Sequence, residues 1–189
     1  ALAAALGGPL AAQTAQPFGA LAGGIDHFQA GRYDDALAAF RGIALSTPDD
    51  PQKPAATFWL AKTQLAVGRI DDAAAGLSHY LATWPKAADR AEAVYLQGRI
   101  LHQQEDFEAA LQVFPAFLEE YPSSPFSANA WFWSAESLYG LGRLEEALAA
   151  AESQPDSKRA RDRLLTAVVD IAVEDRRRAS TLQFDPVVV

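Results

Sequence analysis

The side chains in this sequence that are best suited to catalysis or metal binding are three histidines, His27, His79 and His102. Histidine titrates near neutral pH and is a common metal ligand, so a metal site would place a second ligand at a short, regular spacing from it. None of the three stands at such a spacing from another histidine, and the chain has no cysteine. We therefore predict packing or surface roles for the histidines, no metal site and no cofactor.

Paired acids are the second group that could do chemistry, since two carboxylates can divide the work of a general acid and a general base. The pairs Asp34-Asp35, Asp71-Asp72 and Glu145-Glu146 each precede an alanine-rich apolar segment. A catalytic pair has no reason to recur along a chain, whereas acids at the start of a helix are stabilised by the helix dipole. The sequence also lacks a glycine-rich phosphate loop and a G-x-S-x-G nucleophile elbow. These patterns predict a protein that is not an enzyme.

Charge and composition narrow the class of partner. The 189 residues carry a formal net charge of −8, and 50% of them are apolar. Nucleic-acid binding needs clustered Lys and Arg, so the acidic balance argues against a nucleic-acid partner. Basic residues gather only at 158–178, where Arg176, Arg177 and Arg178 adjoin acids in the way that is typical of a solvated helix end. No apolar stretch reaches the roughly 20 residues of a transmembrane helix, so we predict none.

The sequence repeats with a period of 37 residues. Four turn-like segments align, and each ends at an alanine: Ala36, Ala73, Ala110 and Ala147. Two further series keep the same step, the prolines Pro48, Pro85 and Pro122 and the small residues Gly24, Ala61, Gly98 and Ala135. Independent landmarks in one register indicate an array of equal structural units that stack on their neighbours.

Each unit is predicted to be a pair of helices. Apolar residues recur at helical spacing in its first half, a short turn with Gly-Arg in three of the units follows, and the second half begins with an apolar residue and acids. A proline then closes the unit, because proline cannot continue a helix. Small residues permit close approach where the two helices cross, and we expect Gly98 to face Ala110 there.

These landmarks resemble the tetratricopeptide repeat, whose unit has 34 residues, with three more here between units. The resemblance implies an all-α fold, a right-handed superhelical solenoid of stacked helix-turn-helix repeats. We predict an array over residues 17–155 with three full units and one truncated unit, then a capping helix over 156–178 and a tail over 179–189. Residues 1–16 are apolar and uncharged, and they are either a signal-peptide remnant or a disordered Ala-rich tail.

The resemblance also implies where a partner would bind, because in this family the first helices of the units line a concave face. The corresponding inward positions are Phe58, Lys62, Glu92, Tyr95, Arg99, His102, Asn129, Phe132, Glu136 and Tyr139. Aromatic and arginine side chains carry much of the energy of protein interfaces. The set therefore predicts a groove for an extended or helical peptide with apolar anchors and an acidic group. The alternative is that Phe58, Tyr95 and Phe132 are buried between adjacent units.

The segment from Tyr121 to Trp133 is similar to repeats of bacterial envelope proteins such as the Tol–Pal cell-division coordinator and the outer-membrane barrel-assembly lipoprotein. The lack of a lipid-acceptor cysteine argues against the lipoprotein form. The resemblance implies a non-enzymatic scaffold or adaptor in the cell envelope, periplasmic or exported, that binds another protein or peptide as a monomer or weak homodimer. Two alternatives are a small-ligand or glycan-binding receptor, and the non-catalytic end of a larger enzyme or sensor.

Overall fold

The computed structural model describes residues 17–152 and, beyond them, only positions 162 and 166. The chain divides into two compact units between Arg69 and Ile70. The predicted signal remnant over 1–16 and tail over 179–189 lie outside the described residues, as does the predicted capping helix over 156–178 apart from those two positions.

The described residues form helices joined by short turns, with no strand among them. The first unit contains α1 (Pro17–Gln29), α2 (Tyr33–Ala44) and α3 (Lys53–Ala66). The second contains α4 (Ile70–Thr83), α5 (Arg90–Gln103), α6 (Phe107–Glu120), α7 (Ser127–Gly140) and α8 (Leu144–Glu152). The helices α2, α4, α6 and α8 begin at positions 33, 70, 107 and 144, and α3, α5 and α7 begin at 53, 90 and 127. Both series keep the 37-residue step, so the predicted all-α repeat fold is confirmed.

The four alanines that mark the repeat lie in the core. Ala36, Ala73 and Ala110 are fully buried, and Ala147 is 1% exposed. All four stand in the first turn of the second helix of a pair. A methyl group fills this position at every step along the array, which is what equal packing of equal units requires.

Within two of the pairs, the close approach of the helices depends on a glycine that packs against an aromatic ring. A Cβ atom added at Gly98 in α5 would lie 2.7 Å from Cε1 of Phe114 in α6. A Cβ atom added at Gly24 in α1 would likewise lie 2.5 Å from Cε1 of Phe40 in α2. The atoms nearest to Gly98 are those of Phe114, which stands four residues after the expected neighbour Ala110 on α6. The ring one turn further along α6 occupies the space that the missing side chain leaves.

The turns inside the pairs use left-handed backbone. Gly31, Gly68 and Gly142 have φ angles of +72°, +77° and +73°, which glycine adopts without steric cost. The equivalent position of the remaining pair is Glu105, with a φ of +61°. A residue with a Cβ atom is strained in this region by about 1–2 kcal/mol.

Replacing Glu105 by glycine is expected to stabilise the protein by about 1 kcal/mol, because glycine relieves that strain and suits the left-handed end of a helix. Thermal unfolding followed by circular dichroism should show a Tm about 2–4 °C higher. Gln104→Gly is the matched control, since Gln104 has an ordinary φ of −82° and gains no relief. A Tm that falls in both variants would contradict the expectation.

Candidate partner-binding face

In the first unit, a lysine ammonium is surrounded by aromatic rings. Nζ of Lys62 in α3 lies 4.3 Å from the ring centroid of Trp59, 5.4 Å from that of Phe58 and 5.9 Å from that of Phe28 in α1. Phe28 and Trp59 also meet edge to face, with centroids 5.3 Å apart. Cation–π attraction holds the ammonium over these rings. Because the lysine side chain is already restrained, it loses less conformational entropy when it binds an anionic group.

In the second unit, an arginine and a histidine share one tryptophan. Cζ of Arg99 in α5 lies 5.1 Å from the ring centroid of Trp133 in α7. The His102 ring, one helical turn further along α5, lies 4.8 Å from the same indole and 5.3 Å from the Phe107 ring. Arg99 is exposed and His102 is partly buried. The guanidinium is thus held on an aromatic platform with access to solvent.

The indole of Trp133 is held in place by Tyr95. Its Nε1 donates a hydrogen bond to the hydroxyl of Tyr95, at 3.2 Å. Tyr95 in turn stacks on Phe126, with centroids 5.0 Å apart and an interplanar angle of 16°. Tyr95 and Phe117 belong to one buried cluster, so the indole is anchored to the core of the second unit. A platform that is already ordered costs little further entropy when a partner docks.

The orientation of His102 is set by a hydrogen-bond chain. Oγ of Ser137 donates to the carbonyl oxygen of Trp133 at 2.7 Å, and it lies 3.0 Å from Nδ1 of His102. The serine hydroxyl has a single proton, and that proton is given to the carbonyl. With the hydroxyl proton on that carbonyl, the tautomer of His102 that carries a proton on Nδ1 completes the second bond. Ser137 is fully buried, so the chain ties the imidazole to α7.

Three residues predicted to line the groove are buried instead. Phe58 is 1% exposed, Tyr95 is 6% exposed and Glu136 is 7% exposed. An open ladder of rings that includes Phe58 and Tyr95 is therefore wrong, and burial, the alternative, holds for both. For Tyr95 the cause is packing from two sides, because its ring is covered by Phe117 of the second helix of its own pair and by Phe126, which directly precedes α7.

The remaining predicted residues of the second unit reach the surface to different extents. Asn129 is exposed, whereas Glu92, Phe132 and Tyr139 are partly buried. Phe132 meets Trp133 edge to face, with centroids 4.9 Å apart. We call the α5–α7 face the surface formed by the residues in the following list: Glu92, Arg99, His102, Asn129, Phe132, Trp133 and Tyr139.

Trp59 and Trp133 were not among the predicted site residues, although both cations rest on them. The sequence contained a partial signal, because Trp59 precedes Lys62 by three positions, a spacing that places two side chains on one helix surface. Nothing comparable marks Arg99 and Trp133, which are 34 residues apart on different helices. Their contact depends on how two neighbouring pairs pack.

Within the described residues, no three His, Cys, Asp or Glu side chains converge in a way that could hold a metal ion. None of the helices described is both long and apolar enough to cross a bilayer. The arrangement on the α5–α7 face offers a cation, an imidazole, an amide and aromatic edges. These groups suit recognition of a peptide segment with carboxylate and apolar groups.

Comparison with known proteins identifies the family of this chain. Three family models, each described as a tetratricopeptide repeat, match residues 27–100, 92–124 and 116–160. A 45-residue segment is 42% identical to the cell division coordinator CpoB of Pseudomonas putida. That segment covers 24% of this chain and 17% of CpoB, so the similarity spans less than a fifth of that protein.

Solved structures show the same fold. The structure of MamA from residue 41 to its end, from Desulfovibrio magneticus RS-1, superposes with a TM-score of 0.67 at 15% identity, covering 89% of this chain and 94% of that one. A Podosopora anserina kinesin light chain protein with nearly identical TPR-like repeats also gives a TM-score of 0.67 at 14% identity, over 91% of this chain and 98% of that one. MamA of MSR-1 gives 0.61 at 19% identity, over 89% and 97%. With the repeat register, the buried landmark alanines and the three family matches, the chain belongs to the tetratricopeptide-repeat family.

Proposed function

We propose that this protein is a non-enzymatic scaffold whose α5–α7 face binds a peptide segment of a partner protein. Membership of a repeat family built for protein contacts supports a scaffold role. The observation that carries the choice of face is the exposed Arg99 guanidinium held on the Trp133 indole, with His102 on the same ring.

The chemistry of this face selects an acidic segment with apolar anchors. Arg99 presents several N–H donors to a carboxylate, and its contact with Trp133 keeps the guanidinium oriented. Phe132 and Tyr139 are partly exposed and offer ring surface to an apolar side chain. Asn129 is exposed on α7 and offers both a donor and an acceptor to a peptide backbone. The Arg99 charge gives specificity for an acidic segment, and the Phe132 and Tyr139 rings provide the apolar contacts that add affinity.

The proposal includes a location in the bacterial cell envelope. It is supported by the similarity of a 45-residue segment to the cell division coordinator CpoB. The apolar, uncharged composition of residues 1–16 is in line with export.

Site-directed photo-cross-linking in cells of the source organism tests both parts. A photoreactive amino acid at Asn129 should give a protein adduct, and one at Ala149, exposed on α8, should not. Arg99→Glu should reduce the Asn129 adduct at least tenfold, because the partner carboxylate then meets a like charge. The adduct should be released with periplasmic markers by osmotic shock.

Arg41→Glu is the matched control, since Arg41 is exposed in α2 and the change in net charge is the same. It should leave the adduct unchanged. Equal loss in both variants, or an adduct at Ala149 as strong as at Asn129, would contradict the assigned face. Release with cytoplasmic markers alone would contradict the location. The absence of any protein adduct would favour a small-ligand or glycan receptor.

A further inference from the structure

The second unit has a groove that shares no residue with the α5–α7 face. It lies between α4 and α6, with α5 as its floor, and its volume is about 500 Å³. This is within the range of pockets that hold ligands of substantial size. Its apolar lining consists of Leu81, Ala82, Val94, Val113, Ala116 and Phe117.

The groove is open because the walls carry small side chains. Ser78 and Ala82 on α4 and Ala116 on α6 all line it, and all three are exposed. Helices α4 and α6 both pack on α5, but they are not a closely packed pair with each other. An apolar floor between two helical walls is the kind of surface that an amphipathic helix binds.

The single cation in the groove lining is already engaged. Nη1 of Arg90 donates to the carbonyl oxygen of Leu81 at 3.3 Å, and its Nε lies 3.8 Å from Oε1 of Glu120. The same carboxylate oxygen accepts a hydrogen bond from the Tyr121 hydroxyl at 2.6 Å. These contacts close one end of the groove and hold Arg90 away from an incoming group.

The surroundings of the groove are acidic. Glu119 and Glu120 are exposed at the closed end, and the exposed pair Asp71-Asp72 stands at the start of α4, about two turns before the lining begins at Ser78. Residues 70–152 contain four basic and thirteen acidic side chains, a formal charge of −9, whereas residues 17–69 contain five of each. Around the groove, this excess of acids attracts a cationic partner.

We propose that this groove binds a basic amphipathic helix of a partner protein. Apolar side chains spaced at i, i+3, i+4 and i+7 fill the floor over Val94, Val113 and Phe117. Lysine or arginine side chains on the flanks of the helix meet the acids at the closed end, Glu119 and Glu120. This site is additional to the α5–α7 face, which is suited to a partner of the opposite charge.

Fluorescence anisotropy with a labelled peptide tests the proposal directly. The probe is an amphipathic peptide of about 18 residues built from Leu, Ala and Lys, with the leucines on one face. It should bind saturably, and a permuted peptide of the same composition without an apolar face should bind at least tenfold more weakly. Replacing each lysine of the probe by glutamate should abolish binding.

Two groove variants and one matched control locate the site. Ala82→Arg and Ala116→Arg, on opposite walls, should each weaken binding of the probe at least tenfold by filling the groove and adding like charge. Ala75→Arg makes the same change at an exposed alanine of α4 that does not line the groove, and it should shift Kd by less than twofold. Circular dichroism confirms that the variants are folded.

The proposal is overturned if the probe does not bind, if the permuted peptide binds equally well, or if the three arginine variants behave alike. Arg99→Glu separates this site from the α5–α7 face, because Arg99 does not line the groove. A large change of probe binding in Arg99→Glu, in either direction, would assign the peptide to the α5–α7 face instead.

Discussion

Replacing Phe114 by alanine is expected to destabilise the protein by about 3–5 kcal/mol. The ring is fully buried and packs with Tyr95 and Phe117 in the core of the second unit. It also faces Gly98, so neighbouring side chains cannot close the cavity from that direction. A folded domain is stable by only about 5–15 kcal/mol, and the change removes a large share of it. Urea unfolding followed by circular dichroism measures the loss.

Phe132→Ala deletes the same atoms from a partly exposed position on α7 and serves as the comparison. Its cost should be less than half of that of Phe114→Ala, because water already reaches part of the ring and no sealed cavity forms. Equal costs for the two variants would show that Phe114 is not at the centre of the core.

Gly98→Ala is the second change for which we expect a large effect, a loss of about 1–3 kcal/mol in the free energy of unfolding. The new methyl would lie 2.7 Å from Cε1 of Phe114 and 2.9 Å from its Cζ, so the buried ring must move. Alanine is otherwise the better helix former by about 1 kcal/mol. Propensity and packing therefore oppose each other at this position, and packing dominates.

Gly42→Ala isolates the propensity term, because a Cβ atom there meets nothing within 4 Å and Gly42 also lies inside a helix. This variant should be more stable than the parent protein, so the two glycine substitutions should have opposite signs in urea unfolding. Combining Gly98→Ala with Phe114→Leu should recover part of the loss, since the smaller side chain leaves room for the methyl. Stabilisation by Gly98→Ala alone would refute the packing argument.

The fold was predictable from the sequence because its landmarks are local and recur. Glycine at the left-handed turns, acids at helix starts and proline after the second helices each act within a few residues, and the 37-residue step repeats them. Glu105 is the instructive exception. The array imposes a positive φ on it although its side chain disfavours that conformation, so the register outweighs local preference.

The candidate site was predictable only in part. Lys62, Arg99 and His102 are placed against tryptophan rings, but the sequence pattern could not distinguish Trp59 from the ring one residue earlier, Phe58, which is buried. Periodicity identifies which helix face is apolar. How far each ring on that face is covered depends on the neighbouring pair of helices, and that geometry is not encoded in local spacing.

The groove between α4 and α6 was not predictable from the sequence. Its openness arises from small side chains on two helices that are 37 residues apart, and Ser78, Ala82 and Ala116 each look unremarkable within their own helix. The excess of acids in residues 70–152 can be counted in the sequence. The sequence does not show that some of these acids lie beside an apolar groove, and the proposed cationic partner depends on that.

The helix crossings of the last two pairs are filled in different ways, with Gly98 against Phe114 in one and the small residues Ala135 and Ala151 within one cluster in the other. The helices of these pairs are therefore not interchangeable. Joining α5 to α8 would leave a cavity beside Gly98, because α8 lacks the Phe114 ring. Joining α7 to α6 would instead press the methyl group of Ala135 against that ring. During evolution, such an array could gain or lose members through recombination only if the breakpoints spare each matched pair.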